Sequence, residues 1–236
     1  MIEQATLIKV LVGAVPVILA ITTHEYAHGW LAFRLGDSTA KMAGRLTLNP
    51  LKHIDPVMTL LLPALSYWVS GILFGAAKPV PVTWRNLRRP KQDMGWVALA
   101  GPMSNLAMAT GWMLLVKIVL LLQPENGWLH QPLAGLAVYM GLVGVAANSV
   151  LMWVNLIPVP PADGGRIMVS ILPNHLARRY ARIEALGFFP LVLVLILLVY
   201  SGVFHRLILG FMSGLSNLFL INPDYFQYLL NSQLFS

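Results

Sequence analysis

The strongest chemical signal in this 236-residue sequence is the run His24-Glu25-Tyr26-Ala27-His28. On a helix, residues four apart lie on one face, so the two imidazoles can bind a single Zn²⁺ ion. Glu25 precedes the second histidine by three positions, so its carboxylate can reach a water molecule on the metal. There it can take the proton that the metal has made acidic. The spacing therefore predicts metal-assisted hydrolysis.

The surroundings of this motif argue against a chance match. Chance HExxH matches usually lie on solvated helix surfaces. Here the motif lies in an apolar segment at residues 6–33, which is long enough to cross a membrane. Histidine and glutamate are costly inside a membrane and need a compensating partner. We therefore expect a functional site.

A catalytic zinc needs a third protein ligand. The chain has no cysteine, nine acidic residues and six histidines, so this ligand is a carboxylate or an imidazole. We set aside the acids and histidines that lie in terminal loops, in other basic loops or on the wrong side of the membrane. Two candidates for the third ligand remain. One is Asp163, and the other is His53 together with Asp55. The predicted topology favours Asp163, and Gly164-Gly165 would let the backbone turn sharply there.

The composition predicts a membrane protein. Hydrophobic residues make up 57% of the chain and charged residues 11%, whereas soluble domains carry about 25% charged residues. We predict an all-α polytopic membrane protein, a single domain over residues 1–236, with five to six transmembrane helices. The predicted spans are residues 6–33, 94–122, 133–157 and 185–204, with 207–221 as a weaker candidate and 57–74 as a re-entrant segment.

The basic residues orient these segments, because lysine and arginine concentrate in cytoplasmic loops. Their grouping predicts an external N-terminus and cytoplasmic loops at 34–56, 78–93 and 158–184. The segment 57–74 then has basic loops on both sides, which favours re-entry over one external basic cluster. The active site would face the cytoplasmic side of the cell (inner) membrane. The net charge of +7 reflects this topology, and we predict no nucleic-acid partner.

Two short stretches, 45–49 and 77–82, alternate in character and are typical of strands. A helical substrate hides its scissile amide and must be held extended for attack. An exposed strand edge can do this by pairing with it. Prolines remove the donors from one edge of the second stretch. We expect the Val80 and Val82 amides on its other edge to pair with substrate or with 45–49.

The two motifs HEYAHG (24–29) and NLIPVPPADGG (155–165) together resemble the site-2 protease family of intramembrane metalloproteases. Members of that family pair HExxH with a distal Asn…Pro…Asp-Gly motif. The run GPMSN (101–105) is similar to the family's GPxxN element, and residues 45–50 and 77–81 look like its membrane-associated strands. The matches cover most of residues 20–170.

This resemblance implies the chemistry of the site. It implies one Zn²⁺ per chain, held by His24, His28 and Asp163, with Glu25 as the general base. The implied reaction is hydrolysis of peptide bonds within or near transmembrane segments of other proteins. The expected partners are therefore transmembrane protein substrates and the lipid bilayer, and the oligomeric state is left open.

Two asparagines are further candidates for contact with substrate or an oxyanion. Asn155 matches the asparagine of the family's distal motif, and Asn105 is an amide in an apolar helix that must find a partner. Many family members also carry a PDZ domain or a nucleotide-sensing domain. The loop at 123–132 and the tail after residue 221 are too short for either, so the chain resembles a minimal form.

Two other function classes could use the same residues. A transporter or channel for divalent metal would place ionisable residues along the outer halves of several helices, whereas this chain concentrates them at one end. A catalytically inactive adaptor is disfavoured by the intact HExxH motif and Asp163. The sequence therefore favours a protease.

Overall fold

The computed structural model describes residues 4–55, 78–122 and 132–234. Within these ranges most residues are helical. The α-helices are α1 Gln4–Arg34, α2 Thr39–Met42, α3 Pro90–Leu121, α4 Pro132–Leu156, α5 Asp163–Ile171, α6 Asn174–Ala181, α7 Phe189–Tyr200, α8 Val203–Leu218 and α9 Pro223–Leu229. Short 3₁₀ turns lie at Pro50–Lys52, Trp84–Asn86 and Arg182–Leu186, and a π-helical turn lies at Leu230–Leu234.

Three long helices, α1, α3 and α4, pack against one another and form the centre of the molecule. Each is long and apolar enough to cross a membrane, over Leu7–Arg34, Pro90–Leu121 and Leu133–Leu156. Small residues let them approach closely, as is usual in membranes. A β-carbon at Gly144 of α4, for example, would lie 2.4 Å from the Trp112 ring of α3. These three helices provide the frame on which the site is built.

The prediction of five to six transmembrane helices is wrong. The described residues contain three helices that meet the length and hydropathy of a span, or four if the bent pair Asn174–Leu186 and Phe189–Tyr200 counts as one. The predicted span at 185–204 contains α7, a helix of 12 residues. At 1.5 Å per residue it covers about 18 Å, against a hydrocarbon core of about 30 Å. Helix length, not apolar composition, decides this outcome.

The C-terminal candidate falls short for a similar reason. Helix α8 has 16 residues, or about 24 Å. It is separated from α7 by Gly202, whose φ of 70° is left-handed and ends a helix. The predicted re-entrant segment at 57–74 lies outside the described residues.

The predicted strands are also wrong, since the part of the chain that the structure describes contains no strand. Residues 47 and 48 form a bend, and residues 45, 46, 49 and 78–83 are irregular. The polar groups of these residues form hydrogen bonds with loops and side chains and do not form a β-ladder. Lys78 N–H donates to the His53 carbonyl over 2.9 Å, and Arg45 Nη2 donates to the Lys78 carbonyl over 2.9 Å. Alternation in the sequence therefore indicated an extended chain without strand pairing.

The C-terminal helices complete the apolar core. Helices α8 and α9 pack with α3 and α4 around fully or almost fully buried side chains, which include Met113, Leu142, Met212, Phe226 and Leu229. Helix α5 packs mainly against α3. That contact brings the first residue of α5 to the centre of the three-helix frame.

Asp37, just after α1, ties this helix to the segment that follows residue 77. Its buried carboxylate accepts hydrogen bonds from Thr39 N–H over 3.1 Å, Thr83 N–H over 2.7 Å and Asn86 Nδ2 over 3.0 Å. Burial by itself would raise the pKa of this carboxyl, but the hydrogen bonds from Thr39, Asn86 and Thr83 hold that pKa below its usual range. The charged form therefore stabilises this connection.

We expect Asp37→Asn to lower the free energy of unfolding by about 1–3 kcal/mol, because hydrogen bonds to a charged group are replaced by weaker ones. A depressed pKa adds stability above the unfolded-state pKa of about 3.9, and this stability is lost as pH falls through the folded-state value. The difference in free energy of unfolding between wild type and Asp37→Asn should therefore become smaller below about pH 4. Thermal unfolding in detergent at several pH values measures it.

The matched control is Asp224→Asn, which alters an exposed aspartate in α9. It should leave the unfolding temperature nearly unchanged near neutral pH. Equal effects of the two substitutions, or a gap that widens at low pH, would contradict the role given to Asp37.

Candidate metal centre

The two histidines of the HExxH motif lie one turn apart on the inward face of α1. His24 Nε2 and His28 Nε2 are 3.0 Å apart. The rings meet edge to face, with centroids 4.6 Å apart. The side chains of His24 and His28 are only 8% and 12% exposed. The helical spacing therefore brings both Nε2 atoms to one buried point, as predicted.

Asp163, the first residue of α5, completes this group. Its Oδ2 lies 3.2 Å from His24 Nε2 and 3.2 Å from His28 Nε2. Among the described residues, these three form the group of possible ligands close enough to hold one metal ion. The alternative candidates, His53 and Asp55, are not part of it.

The glycines after Asp163 are needed for close packing. Neither Gly164 nor Gly165 has a positive φ, so the backbone conformation at these positions does not require glycine. A β-carbon at Gly164 would instead lie 2.4 Å from the Ile157 carbonyl oxygen, and one at Gly165 would lie 2.5 Å from Pro160 N. The start of α5 therefore packs directly on the backbone that leaves α4. This contact places Asp163 beside α1.

The distances in the group fit a zinc ion. Ligand atoms at about 2.0–2.1 Å from a tetrahedral zinc lie about 3.3 Å from each other. The three separations here are 3.0, 3.2 and 3.2 Å. In addition, Asp163 Oδ2 is buried and receives no hydrogen bond, which is costly for a carboxylate oxygen. A cation between the three atoms removes that cost.

The other ring nitrogen of His28 supports the same conclusion. His28 Nδ1 lies 2.7 Å from the Val97 carbonyl oxygen of α3. A carbonyl can only accept, so the ring proton is on Nδ1 and a neutral His28 presents a bare lone pair at Nε2. Metal-bound histidines commonly make such a contact with their second nitrogen. When the ring is neutral, His28 Nε2 is an acceptor that faces a carboxylate oxygen, and a metal cation between the two atoms would be bound by both.

His24 Nδ1 has a side-chain partner. It lies 2.6 Å from Asn105 Oδ1 on α3, and Asn105 is fully buried. The amide of Asn105 also contacts Asn148 Oδ1 at 2.9 Å and the Ala20 carbonyl at 3.3 Å. Asn105 was a candidate for substrate or oxyanion contact. Its position favours contact with a zinc-ligand candidate, because its amide is enclosed by other groups of the chain.

Gly101 on α3 provides the space for the histidine rings. A β-carbon at this position would lie 2.4 Å from His28 Nε2 and 2.5 Å from His24 Cε1. The sequence did not connect Gly101 with the two histidines. The GPMSN run was a signal for the position but did not show what the glycine faces.

The general-base candidate contacts a different part of the chain. Glu25 Oε2 accepts a hydrogen bond of 2.7 Å from Val80 N–H. The Val80 side chain packs on Gly29, where a β-carbon would lie 2.9 Å from Val80 Cγ1. The expectation that the Val80 amide is free to pair with substrate is therefore wrong, since Glu25 already occupies it. The segment that begins at residue 78 instead orients the glutamate.

The remaining candidates, His53 and Asn155, form hydrogen bonds with nearby backbone carbonyls. His53 is buried and its Nε2 lies 2.8 Å from the Thr47 carbonyl oxygen, which makes it a loop contact. Asn155 is half-buried near the end of α4, and its Nδ2 donates to the Leu151 carbonyl over 3.0 Å. A role of Asn155 in substrate binding stays a prediction.

Comparison with known proteins agrees with this geometry. The chain is 36% identical over 178 residues to "Putative zinc metalloprotease YwhC" of Bacillus subtilis, a match covering 74% of this chain and 75% of that protein. It is 30% identical over 203 residues to "Putative zinc metalloprotease Rip2" of Mycolicibacterium smegmatis, over 85% and 73% of the two chains. The Rip2 protein of Mycobacterium tuberculosis is also 30% identical, over 80% and 74%. The chain belongs to the site-2 protease family.

Members of this family are zinc metalloproteases, and zinc is therefore the metal of this chain. The family and the three apolar helices also identify a membrane protein. No family model and no solved structure matches the chain significantly. The arrangement of the site therefore comes from the present structure alone.

Gly101→Ala tests the space between α1 and α3. The added methyl would push on both imidazoles, so we expect zinc affinity to fall about tenfold or more, in the range of changes next to metal ligands. Competition with a chelator on purified protein measures this affinity.

Gly111→Ala on the same helix is the matched control, because a β-carbon there has no atom within 4 Å. Alanine also favours helix more than glycine does, so this variant should bind zinc like wild type. Wild-type zinc affinity in Gly101→Ala would show that the rings do not need this space.

Proposed function

We propose that the protein is an intramembrane zinc metalloprotease that hydrolyses peptide bonds within or near transmembrane segments of other proteins. The main observation in support of this proposal is that three buried atoms that can bind a metal lie close together inside a frame of apolar helices. They belong to His24, His28 and Asp163. We assign these residues as the ligands of one Zn²⁺ ion. An ion held by these residues would supply a Lewis acid, which would make the attacking water more acidic and polarise a substrate carbonyl.

Glu25 is the residue that moves protons in this proposal. Its carboxylate accepts a proton from the attacking water and delivers it to the departing amine nitrogen. Val80 N–H occupies Oε2, so we assign the proton transfer to Oε1. The hydrogen bond holds the carboxylate in one orientation, which removes part of the entropic cost of reaching the reactive arrangement.

The depth of the site supports a transmembrane substrate. His24 precedes the end of α1 at Arg34 by ten residues, which is about 15 Å along a helix. A hydrocarbon core is about 30 Å thick. The metal group therefore lies well inside the span, where soluble peptides do not reach and a membrane-embedded segment does. We keep Asn155, near the same end of α4, as a candidate for contact with the substrate backbone.

The orientation of the site belongs to the same proposal. The segments 35–55, 78–89 and 163–182 contain most of the basic residues of the described chain. They meet at one end of the frame, where Thr83 binds Asp37 and Arg166 stacks on Trp84. Because such residues stay in the cytoplasm, we place this end on the cytoplasmic side of the cell (inner) membrane. The N-terminus is then external.

The first test separates the base from the ligands. Glu25→Gln keeps an oxygen that can accept from Val80 N–H but cannot take a proton, so turnover should fall by about 10²–10⁴-fold while zinc stays bound. Asp163→Asn removes the charged ligand and should lower zinc content together with activity. The measurements are zinc per folded protein by elemental analysis and cleavage of a transmembrane reporter in detergent.

His53→Gln is the matched control for this test, since it alters a buried histidine outside the three-ligand group. It should keep its zinc. Full zinc and full activity in Asp163→Asn would show that Asp163 is not the third ligand. A Glu25→Gln protein that cleaves the reporter normally would remove the general-base assignment.

The second test addresses orientation with single cysteines, which this cysteine-free chain accepts without background. Arg88→Cys and Leu122→Cys flank α3 at opposite ends, and both positions are exposed. We expect a membrane-impermeant maleimide to label position 122 on intact cells and position 88 only after permeabilisation. Labelling of position 88 from outside would reverse the assigned orientation.

A further inference from the structure

We propose that Asn148 and Asn105 form a buried amide relay that positions His24 for zinc. The relay rests on the proposed role of His24 as a zinc ligand and adds two residues that act through it. It links the three central helices, because His24 lies on α1, Asn105 on α3 and Asn148 on α4. Both asparagines are fully buried.

The direction of each hydrogen bond follows from a fixed starting point on α4. Asn148 Nδ2 lies 2.8 Å from the Gly144 carbonyl oxygen. A backbone carbonyl only accepts, so the amide nitrogen of Asn148 must face it. This leaves Asn148 Oδ1 as an acceptor, and the group 2.9 Å away on Asn105 must be the donor Nδ2.

The donor and the acceptor in the hydrogen bond between Asn105 and His24 follow in the same way. Asn105 Nδ2 also lies 3.3 Å from the Ala20 carbonyl, a second group that only accepts. The oxygen of this amide is therefore the atom 2.6 Å from His24 Nδ1. An amide oxygen cannot donate, so the ring must carry its proton on Nδ1. His24 Nε2 is left as a bare lone pair directed at the metal group.

Burial makes this arrangement strongly preferred. If the Asn105 amide were reversed, its oxygen would face Asn148 Oδ1 and the Ala20 carbonyl, and its nitrogen would face the ring N–H. No water reaches residues that are 0% exposed, and each unsatisfied buried polar group costs about 1–3 kcal/mol. A carbonyl on α4 thus determines which nitrogen of a histidine on α1 is free to bind metal.

The two histidines differ in how they are held. His28 is fixed by the backbone carbonyl of Val97, whereas His24 is fixed by side chains. The relay is therefore the part of the ligand support that substitution can remove. Asn148 lies outside the motifs that point to catalysis, so its contribution is visible only in the contacts between helices.

Wild-type protein tests the central claim without any substitution. In the metal-free full-length chain labelled with ¹⁵N-histidine, nitrogen NMR should show His24 protonated at Nδ1. The His24 signal is identified by its loss in His24→Gln. A neutral His24 that carries its proton on Nε2 would overturn the relay.

Substitutions then test the effect on zinc, measured as the chelator concentration that removes half of the metal from the loaded protein. Asn105→Leu removes the acceptor of the ring proton, and we expect zinc affinity to fall about 10–100-fold, as for other partners of metal ligands. Asn148→Leu releases the Asn105 amide and should cause a smaller loss in the same direction. Asn105→Asp retains an acceptor for His24 and should bind zinc more tightly than Asn105→Leu.

Two control variants separate this role from general packing. Ser149→Ala removes a buried hydroxyl next to Asn148 that forms a hydrogen bond within α4. Thr110→Val removes a hydroxyl that forms a hydrogen bond within α3. Both should bind zinc like wild type. If Asn105→Leu and Asn148→Leu also bind zinc like these controls, the relay is wrong.

His24→Ala distinguishes the relay from the proposed function. A large loss of zinc in His24→Ala, with wild-type affinity in both asparagine variants, would overturn the relay and leave the metal assignment intact. Wild-type zinc affinity in His24→Ala itself would overturn both, because the relay acts only through this ligand. If the leucine variants do not fold, the NMR measurement on the wild-type protein still decides the question.

Discussion

The convergence of three acceptor atoms at one buried point is the constraint on which the rest of the site depends. His24 Nε2, His28 Nε2 and Asp163 Oδ2 lie 3.0–3.2 Å from one another, away from water and within apolar helices. Lone pairs at such distances repel each other, and in a medium of low dielectric constant this repulsion is strong. A divalent cation turns the repulsion into attraction. Zinc binding would therefore stabilise the close approach of these three atoms, which together form the zinc site.

The helix packing is arranged to allow this convergence. Gly101 leaves room for the two imidazoles, and Gly164 lets α5 approach the end of α4 so that Asp163 reaches α1. The Nδ1 atoms, which face away from the proposed metal position, are bonded to Asn105 and to the Val97 carbonyl on α3. One helix thus provides both the space and the acceptors that orient the ligands of another. Such support is usual around metal-bound histidines.

The glutamate is held by a segment outside the long helices. Val80 N–H binds Glu25, and the segment around Val80 is fastened to its surroundings through Arg45 and Asp37. In the proposed reaction this segment lies beside the general base, Glu25. A protease that acts in a membrane must admit water and an unwound peptide to a buried metal, and irregular backbone is tolerated at such depth only beside protein or a wet cavity. The loop and the metal site therefore form one functional unit.

The sequence by itself predicted that His24 and His28 bind one metal ion, because residues four apart lie on the same face of a helix. It also pointed to Asp163, since few acids or histidines were available in a chain without cysteine. It overestimated the number of spans and predicted strands that are not found in the described residues, because local composition reports neither helix length nor pairing. The Val80 bond to Glu25, the fit of Gly101 against the rings and the contact of Asn148 with Asn105 were decided only by tertiary structure. Each depends on the register between separate segments. In addition, Val80 contributes its backbone N–H, which every residue except proline carries and which the sequence therefore does not reveal.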